Sequence, residues 1–485
     1  MSVRYEAKAV PRIMREHTIC QTHEKICAKR RREFADTLSA KFWVSMLGDA
    51  DYELQRSVRH AGFGVISSPE KTDLRFSIGN GNGGPKQPLT LLPLDFFDYL
   101  HAVTAASNAF VIFPGKEGEL GSFVAAVYAG QIVQKERIEQ EKLASTPAYV
   151  VNEFSENSAT RNFLHLPKIF LVGKGNWTEF FKLIEDMHSN GFITDWDLYE
   201  LFTLVEDEED LLPLLQAEEE KWRKLVDAPD DVDDNIDIVK VADKFSHWQE
   251  AEKISAKHRQ RFAKVFGHYY RNAIFGSHRP EHRPDLIEAT AVIADMFRAA
   301  HVDEGDGGGP GLMEAAGLGK DRARDVRAAL RGVSIAVTLS FADQPAQTKY
   351  PLSLPSVNFI HRLRIFEIIF QGFLAMGGGI GTLLEIVVMG YLLLEQTRNP
   401  EQSILQNRSF LDAGYIGSIG LHDPKFWKHL NAIFDKFVTQ GILTKTERRN
   451  IFKNVSDETE AMSNVKRDRS RWRKRLRGRQ LEPRN

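Results

Sequence analysis

One feature narrows the possible folds of this 485-residue chain more than any other: a set of strand-and-turn landmarks occurs twice, in the same order. Val44-Ser45-Met46-Leu47-Gly48-Asp49 is answered by Asn272-Ala273-Ile274-Phe275-Gly276-Ser277. Ala109-Phe110-Val111-Ile112-Phe113-Pro114-Gly115 is answered by Gly372-Phe373-Leu374-Ala375-Met376-Gly377-Gly378. Phe180-Phe181-Lys182-Leu183-Ile184 through Gly191-Phe192-Ile193-Thr194 is answered by Phe426-Trp427-Lys428-His429-Leu430 through Gly441-Ile442-Leu443-Thr444. The offsets are 228, 263 and 250 residues, so the order is kept while loop lengths vary. Both copies then reach an acidic helix start, Val205-Glu206-Asp207-Glu208-Glu209 and Val455-Ser456-Asp457-Glu458-Thr459. The length is therefore read as one fold used twice, not as three unrelated domains of about 150 residues each.

Within each copy, short apolar runs alternate with helical patterns. Phe42–Leu47, Gly62–Ser67, Phe110–Phe113 and Ala148–Val151 read as strands, and Phe180–Met187 reads as a helix between strands. That alternation predicts α/β units in which a doubly wound parallel sheet carries helices on both faces. The expected organisation is a charged helical segment over 1–38, a first α/β domain over 39–215, an acidic linker and helix over 216–265, a second α/β domain over 266–463, and a basic tail over 464–485.

Charge supports this division. The chain carries 64 Lys and Arg against 66 Asp and Glu, a net charge of −2, which does not describe a polycation built for nucleic acid. The balance is a cancellation. Glu206–Asp237 holds 14 acidic and 3 basic residues, whereas Lys466–Asn485 holds 10 basic and 2 acidic. Lys29-Arg30-Arg31-Arg32 reads as a solvated helix face, and the tail as a disordered, solvated end; the lesser alternative is nucleic-acid binding through Arg469–Arg479 with Trp472 as a stacking group. The acidic stretch Asp227–Asp234 lacks the central Gly and terminal Glu of a calcium loop, so no metal is expected. Two cysteines, Cys20 and Cys27, and an N-terminus without an apolar core lead to the expectation of a cytoplasmic protein. The most apolar stretch, Gly377–Leu394, is broken by Glu385 and five glycines and is not expected to span a membrane.

Two segments carry chemistry. Gly305-Asp306-Gly307-Gly308-Gly309-Pro310-Gly311 precedes the helical run Leu312-Met313-Glu314-Ala315-Ala316. Gly377-Gly378-Gly379-Ile380-Gly381-Thr382-Leu383-Leu384-Glu385 joins an expected strand to a helix running through Tyr391. Glycines let backbone N–H groups converge on a ligand, and the helix N-terminus behind them attracts phosphate. Neither loop has the spacing of a dinucleotide fingerprint, and neither ends in Gly-Lys-Ser/Thr, so NAD chemistry and ATP-driven phosphoryl transfer lose their usual support. Two readings stay open on pattern alone. Thr382-x-x-Glu385 is also a capping-box signature. In the helix Phe359–Glu367, Ile360, Leu363 and Phe366 can face the core while His361 and Arg362 point elsewhere, which makes Arg362 read as a surface arginine.

Together these residues resemble the LOG family, the "lonely guy" phosphoribohydrolases once misnamed lysine decarboxylases. The second copy carries the three signatures: Phe275-Gly276-Ser277 at a strand end, Gly307–Ala316 resembling G-G-G-x-G-L-M-x-x-A, and Gly377–Glu385 resembling P-G-G-x-G-T-x-x-E. Arg362, 23 residues before Glu385, falls where the family has its catalytic arginine. The run from Arg362 to Gly372 looks most like the larger bacterial nucleotide 5′-monophosphate nucleosidases. The resemblance covers about 190 residues. It implies two tandem Rossmann-like units, with catalytic roles for Arg362 and Glu385. It implies substrate binding by Gly276, Ser277, Gly307, Gly308, Gly309, Met313, Glu314, Gly378, Gly379, Gly381 and Thr382. Gly377 departs from the family's proline, which should loosen the loop, and Leu363 departs from the lysine that often follows the arginine. The first copy looks eroded: Ala125 follows Ser122 where Glu is expected, Tyr99 or a neighbour replaces the arginine, and Ser67-Ser68-Pro69-Glu70 replaces the glycine loop.

The activity so implied is hydrolysis of the N-glycosidic bond of a nucleoside 5′-monophosphate to free base and ribose 5-phosphate, without metal or other cofactor. The rival expectation is a non-catalytic nucleotide sensor or scaffold. The expected partner is a single nucleotide, not a membrane and not nucleic acid. A homodimer, or an intrachain pairing of the two copies, is the expected assembly.

Overall fold

The computed structural model describes residues 9–39, 41–48, 52–61, 63–67, 74–78, 89–114, 119–145, 165–226, 237–266, 270–318, 334–339, 352–398 and 417–480. The expected strand Ala148–Val151 and the acidic linker 227–234 lie outside the described residues.

Among the described residues, fourteen strands form two sheets. The first contains β1 (Trp43–Leu47), β2 (Gly64–Ser67), β3 (Leu74–Ile78), β4 (Leu89–Leu91), β5 (Ala109–Ile112), β6 (Lys168–Val172) and β7 (Phe202–Val205), in the order β4-β3-β2-β1-β5-β6-β7. The second contains β8 (Arg271–Phe275), β9 (Asp303–Asp306), β10 (Ser334–Ala336), β11 (Leu352–Ser353), β12 (Gly372–Ala375), β13 (Ile419–His422) and β14 (Phe452–Val455), in the order β11-β10-β9-β8-β12-β13-β14. Position by position the two orders coincide, with the offsets of 228, 263 and 250 residues separating Trp43 from Arg271, Ala109 from Gly372 and Phe202 from Phe452. Central strands such as β1 and β5 are buried at every residue, as sheets covered by helices on both faces require.

The first sheet is not wholly parallel. β3 runs antiparallel to both β2 and β4. Only six residues separate Ser67 from Leu74, too few for a helical crossover, so the chain must double back. In the second sheet the connection from β9 to β10 contains the helix Leu312–Leu318, and every strand pair is parallel.

The chain forms two compact units. One comprises Lys25–Phe181 and Asp195–Ile254 and contains the first sheet. The other comprises Met1–Glu24, Lys182–Thr194 and Ser255–Asn485 and contains the second sheet. Within the first unit, Arg31 is buried and pairs with the buried Glu252 at 2.9 Å, so the Lys29–Arg32 run is not simply a solvated face.

Within the second unit, the basic tail is mostly the helix Glu458–Gln480. Ala461, Met462, Val465 and Trp472 turn one apolar stripe inward, with Trp472 against Tyr270 at 5.9 Å between ring centroids. The buried Asp468 accepts from Ser418 N–H at 2.8 Å and from Ser418 Oγ at 2.6 Å. Trp472 is therefore core, not an exposed stacking group, and the expectation of a disordered end is corrected for residues 464–480. Among the described residues no helix is long and apolar enough to cross a membrane.

Candidate active site

In the second unit the chain passes from β8 to β9 on one side and later to β12 on the other. Ligands of open α/β sheets bind at such a reversal, beyond the carboxyl ends of the strands. Three loops meet there. After β8, Ser277 donates its N–H to Gly377 C=O at 3.2 Å and accepts from Leu312 N–H at its own C=O at 3.0 Å. Its Oγ accepts from Arg279 N–H at 3.0 Å. Ser277 thereby ties all three loops together. A Cβ on Gly276 would lie 2.8 Å from Leu312 Cβ, which explains the glycine.

After β9, Asp306 is fully buried and its carboxylate accepts from Gly308 N–H at 2.6 Å. Gly308 and Gly311 hold φ of +67° and +74°, a left-handed backbone in which side chains are strained. Gly309 is buried beside them, and Glu314 is half-buried in the first turn of the following helix. Gly307 has a different reason to be glycine: a Cβ there would run into the Arg362 guanidinium and the Met313 sulfur.

After β12, a Cβ on Gly377 would lie 2.6 Å from Leu286 Cδ1 and 3.0 Å from the Phe192 ring, and one on Gly379 would lie 2.8 Å from Phe192 C=O. The loop in which Gly377 stands where the resemblance expects proline is packed by Leu286 and Phe192, which offsets the loosening expected of that glycine. A Cβ on Gly378 would meet the Thr382 hydroxyl. Leu383 N–H donates to Gly379 C=O at 3.0 Å, which makes Gly379 the cap of the helix Ile380–Arg398 and places Gly381 and Thr382 in its first turn. Gly379 has no side chain with which to cap, so first-turn amides can serve an anion. Thr382 is not the cap, and the capping-box reading of Glu385 falls.

Glu385 instead meets Arg362, Nη2 to Oε1 at 3.1 Å. Arg362 is brought there by the helix Phe359–Ile369, whose Asn358 cap accepts from His361 N–H at 2.8 Å. Far from being a surface residue, Arg362 is buried, as is almost every residue of that helix. Its guanidinium carbon lies 5.6 and 5.5 Å from the ring centroids of Phe359 and Phe366, which favours a planar cation over bulk water. Its Nη2 also lies 3.9 Å from Met313 Sδ. Its Nε is buried with no hydrogen-bond partner among the described residues. A buried charged donor without an acceptor is costly unless a ligand supplies one. Burial pushes the Glu385 carboxyl up to about 7, against the opposing pull of Arg362.

Several neighbours of the site lie outside the sequence motifs. His278, next after Ser277, keeps part of its surface in solvent while its ring is crowded by protein; that crowding, then the Arg279 and Arg362 cations against the pull of Glu281, holds its imidazole below its ordinary value. Its place directly after the Gly-Ser signature was a usable signal. Phe192 and Thr338, the latter against Gly308, come from distant segments and carried none.

The first unit carries other residues at the corresponding positions. A Cβ on Gly130 would press into the Phe202 ring, and one on Gly390 into the Phe452 ring, so these glycines are equivalent at an offset of 260 residues. That register sets Ala125 opposite Glu385 and Ser122 opposite Thr382. The cap Asp95, which accepts from Asp98 N–H at 2.8 Å, corresponds to Asn358 and sets Tyr99 opposite Arg362. Both ends of the ion pair are therefore replaced together, by the buried Tyr99 and Ala125.

No family model matches the chain, and no curated protein matches it either.

Proposed function

We propose that this chain is a nucleoside 5′-monophosphate nucleosidase of LOG-like fold, with its active site in the second α/β copy. The observation that carries the reading is the buried Arg362–Glu385 pair, roofed by Gly307 and placed among three glycine-bearing loops at strand carboxyl ends.

In this reading the 5′-phosphate rests on the amides of Gly378, Gly379 and Gly381 and on the Thr382 hydroxyl. The loop Gly307–Gly309, with Met313 beneath it, receives the rest of the nucleotide. Glu385 faces C1′, where its carboxylate stabilises the oxocarbenium-like charge that develops as the N-glycosidic bond breaks. A carboxyl titrating near 7 also suits proton transfer to or from the attacking water at neutral pH. Arg362 holds the carboxylate in place and offers its unpaired Nε to the substrate. Water adds to C1′, and the base leaves with a proton. Products are the free base and ribose 5-phosphate.

The test is a panel of purine and pyrimidine nucleoside 5′-monophosphates, each incubated with the full chain and assayed for free base and ribose 5-phosphate. Equal amounts of the two products from at least one nucleotide support the reading. A nucleotide-dependent rise in melting temperature without base release would replace it with the sensor reading.

A further inference from the structure

Within the second unit, the helix that carries Arg362 is held from outside the α/β fold. The N-terminal helix, Ala9–Asp36, contributes His17, Gln21 and Glu24 to this unit. Gln21 Nε2 donates to Pro355 C=O at 2.9 Å, just ahead of the Arg362 helix. Glu24 is buried and its Oε1 accepts from Asn358 Nδ2 at 3.2 Å. Its other oxygen lies 3.8 Å from Arg259 Nη1. The His17 ring stacks over the His361 ring at 6.3 Å and 13°, and His361 Nδ1 accepts from Val357 N–H at 3.1 Å.

Asn358 is the hinge of this arrangement, and its chemistry is specific. Its Oδ1 accepts from His361 N–H and its Nδ2 donates to Glu24, so the two contacts use the two ends of one amide. A backbone N–H can only donate and a carboxylate only accept, which fixes the orientation of the amide. In the first copy the equivalent cap is Asp95. A carboxylate caps a helix as well as an amide does, but it has nothing to donate. The copy that keeps the Arg362–Glu385 pair is the copy with an amide at this position.

We propose that Glu24 and Asn358 are positioning residues for Arg362: the N-terminal helix fixes the start of the arginine's helix through the Asn358 amide, and so sets the guanidinium against Glu385. The catalytic consequence rests on the nucleosidase reading; the bracing itself does not.

The experiment compares wild type, Asn358→Asp and the double variant Glu24→Gln with Asn358→Asp. Two quantities are read: kcat and KM for base release, and amide hydrogen exchange over residues 359–369. Asn358→Asp keeps the cap but turns a carboxylate toward Glu24. It should lower kcat by about tenfold to a hundredfold, as small misplacements of catalytic groups do, with a much smaller change in KM. Exchange over 359–369 should speed by about tenfold. In the double variant the amide introduced at position 24 donates to the carboxylate introduced at position 358, and both quantities should return to within about threefold of wild type. Wild-type kcat and exchange in Asn358→Asp, or no recovery in the double variant, would overturn the proposal. If wild type releases no base, the nucleosidase reading fails, and the exchange comparison alone decides whether the brace exists.

Discussion

The Arg362 guanidinium and the Glu385 carboxylate meet at 3.1 Å with both side chains at least nine-tenths buried. Removing two charges from water is expensive, and the attraction between them repays only part of that cost. The pair is therefore poorly explained as a device for stability, which is why the proposed function places the chemistry there.

The titration of Glu385 should appear in both activity and stability. Its carboxyl is raised from 4.5 to about 7 by burial, so the folded state holds a proton that the unfolded chain releases. Its stabilising effect is complete below about 4.5 and is lost as pH rises through about 7, by at most about 3 kcal/mol. Glu304, raised to about 7 mainly by burial, acts in the same direction. Thermal melts between pH 5 and 8 should show stability falling with pH, and Glu385→Gln should flatten part of that fall. The acidic limb of kcat/KM should lie near pH 7. Arg362→Gln removes the cation that opposes burial and should move the limb upward.

Gly307→Ala places a methyl group against the Arg362 guanidinium. Since this glycine is not left-handed, the fold should survive while kcat/KM falls by about a hundredfold or more. Steady-state kinetics beside a circular dichroism melt separate the two effects. An active, well-folded Gly307→Ala protein would show that the guanidinium position is not critical.

The first copy should be silent in catalysis. Tyr99→Phe and Ser122→Ala each leave the second unit intact and should change base release by no more than about twofold. A larger loss in either variant, measured with the same nucleotide, would assign the first copy a part in the reaction.

How much of this could be read from residues alone differs between elements. The repetition of the strands along the chain is legible because landmarks such as Leu47-Gly48 and Phe275-Gly276 recur with apolar runs that only a covered sheet accommodates, whereas their lateral order in each sheet is not. Nor is the reversal of β3, because it follows from the length of one connection and leaves no mark in hydrophobic pattern. The glycine loops and Glu385 were visible as motifs. Arg362 is marked in the sequence only by the resemblance, since its local pattern points to solvent; its burial depends on Phe359, Phe366 and Glu385 surrounding it in space. The roles of Phe192 beside Gly377 and Glu24 beside Asn358 rest on contacts between residues far apart in the chain, which periodicity cannot encode.

The basic C-terminal segment offers a stability prediction. Trp472 is buried against Tyr270, so Trp472→Ala should cost about 3–5 kcal/mol, the range for losing a large buried aromatic. Chemical denaturation of the full chain would measure it. A change under about 1 kcal/mol would mean that the helix Glu458–Gln480 adds little to the core.

The proposed role of Glu385 at the glycosidic bond is tested by the turnover of Glu385→Gln on the nucleotide that wild type cleaves best. The substitution keeps the shape of the side chain and removes its charge. Base release should fall by about 10²- to 10⁴-fold while the nucleotide still raises the melting temperature. A Glu385→Gln protein that releases base at the wild-type rate would contradict the account.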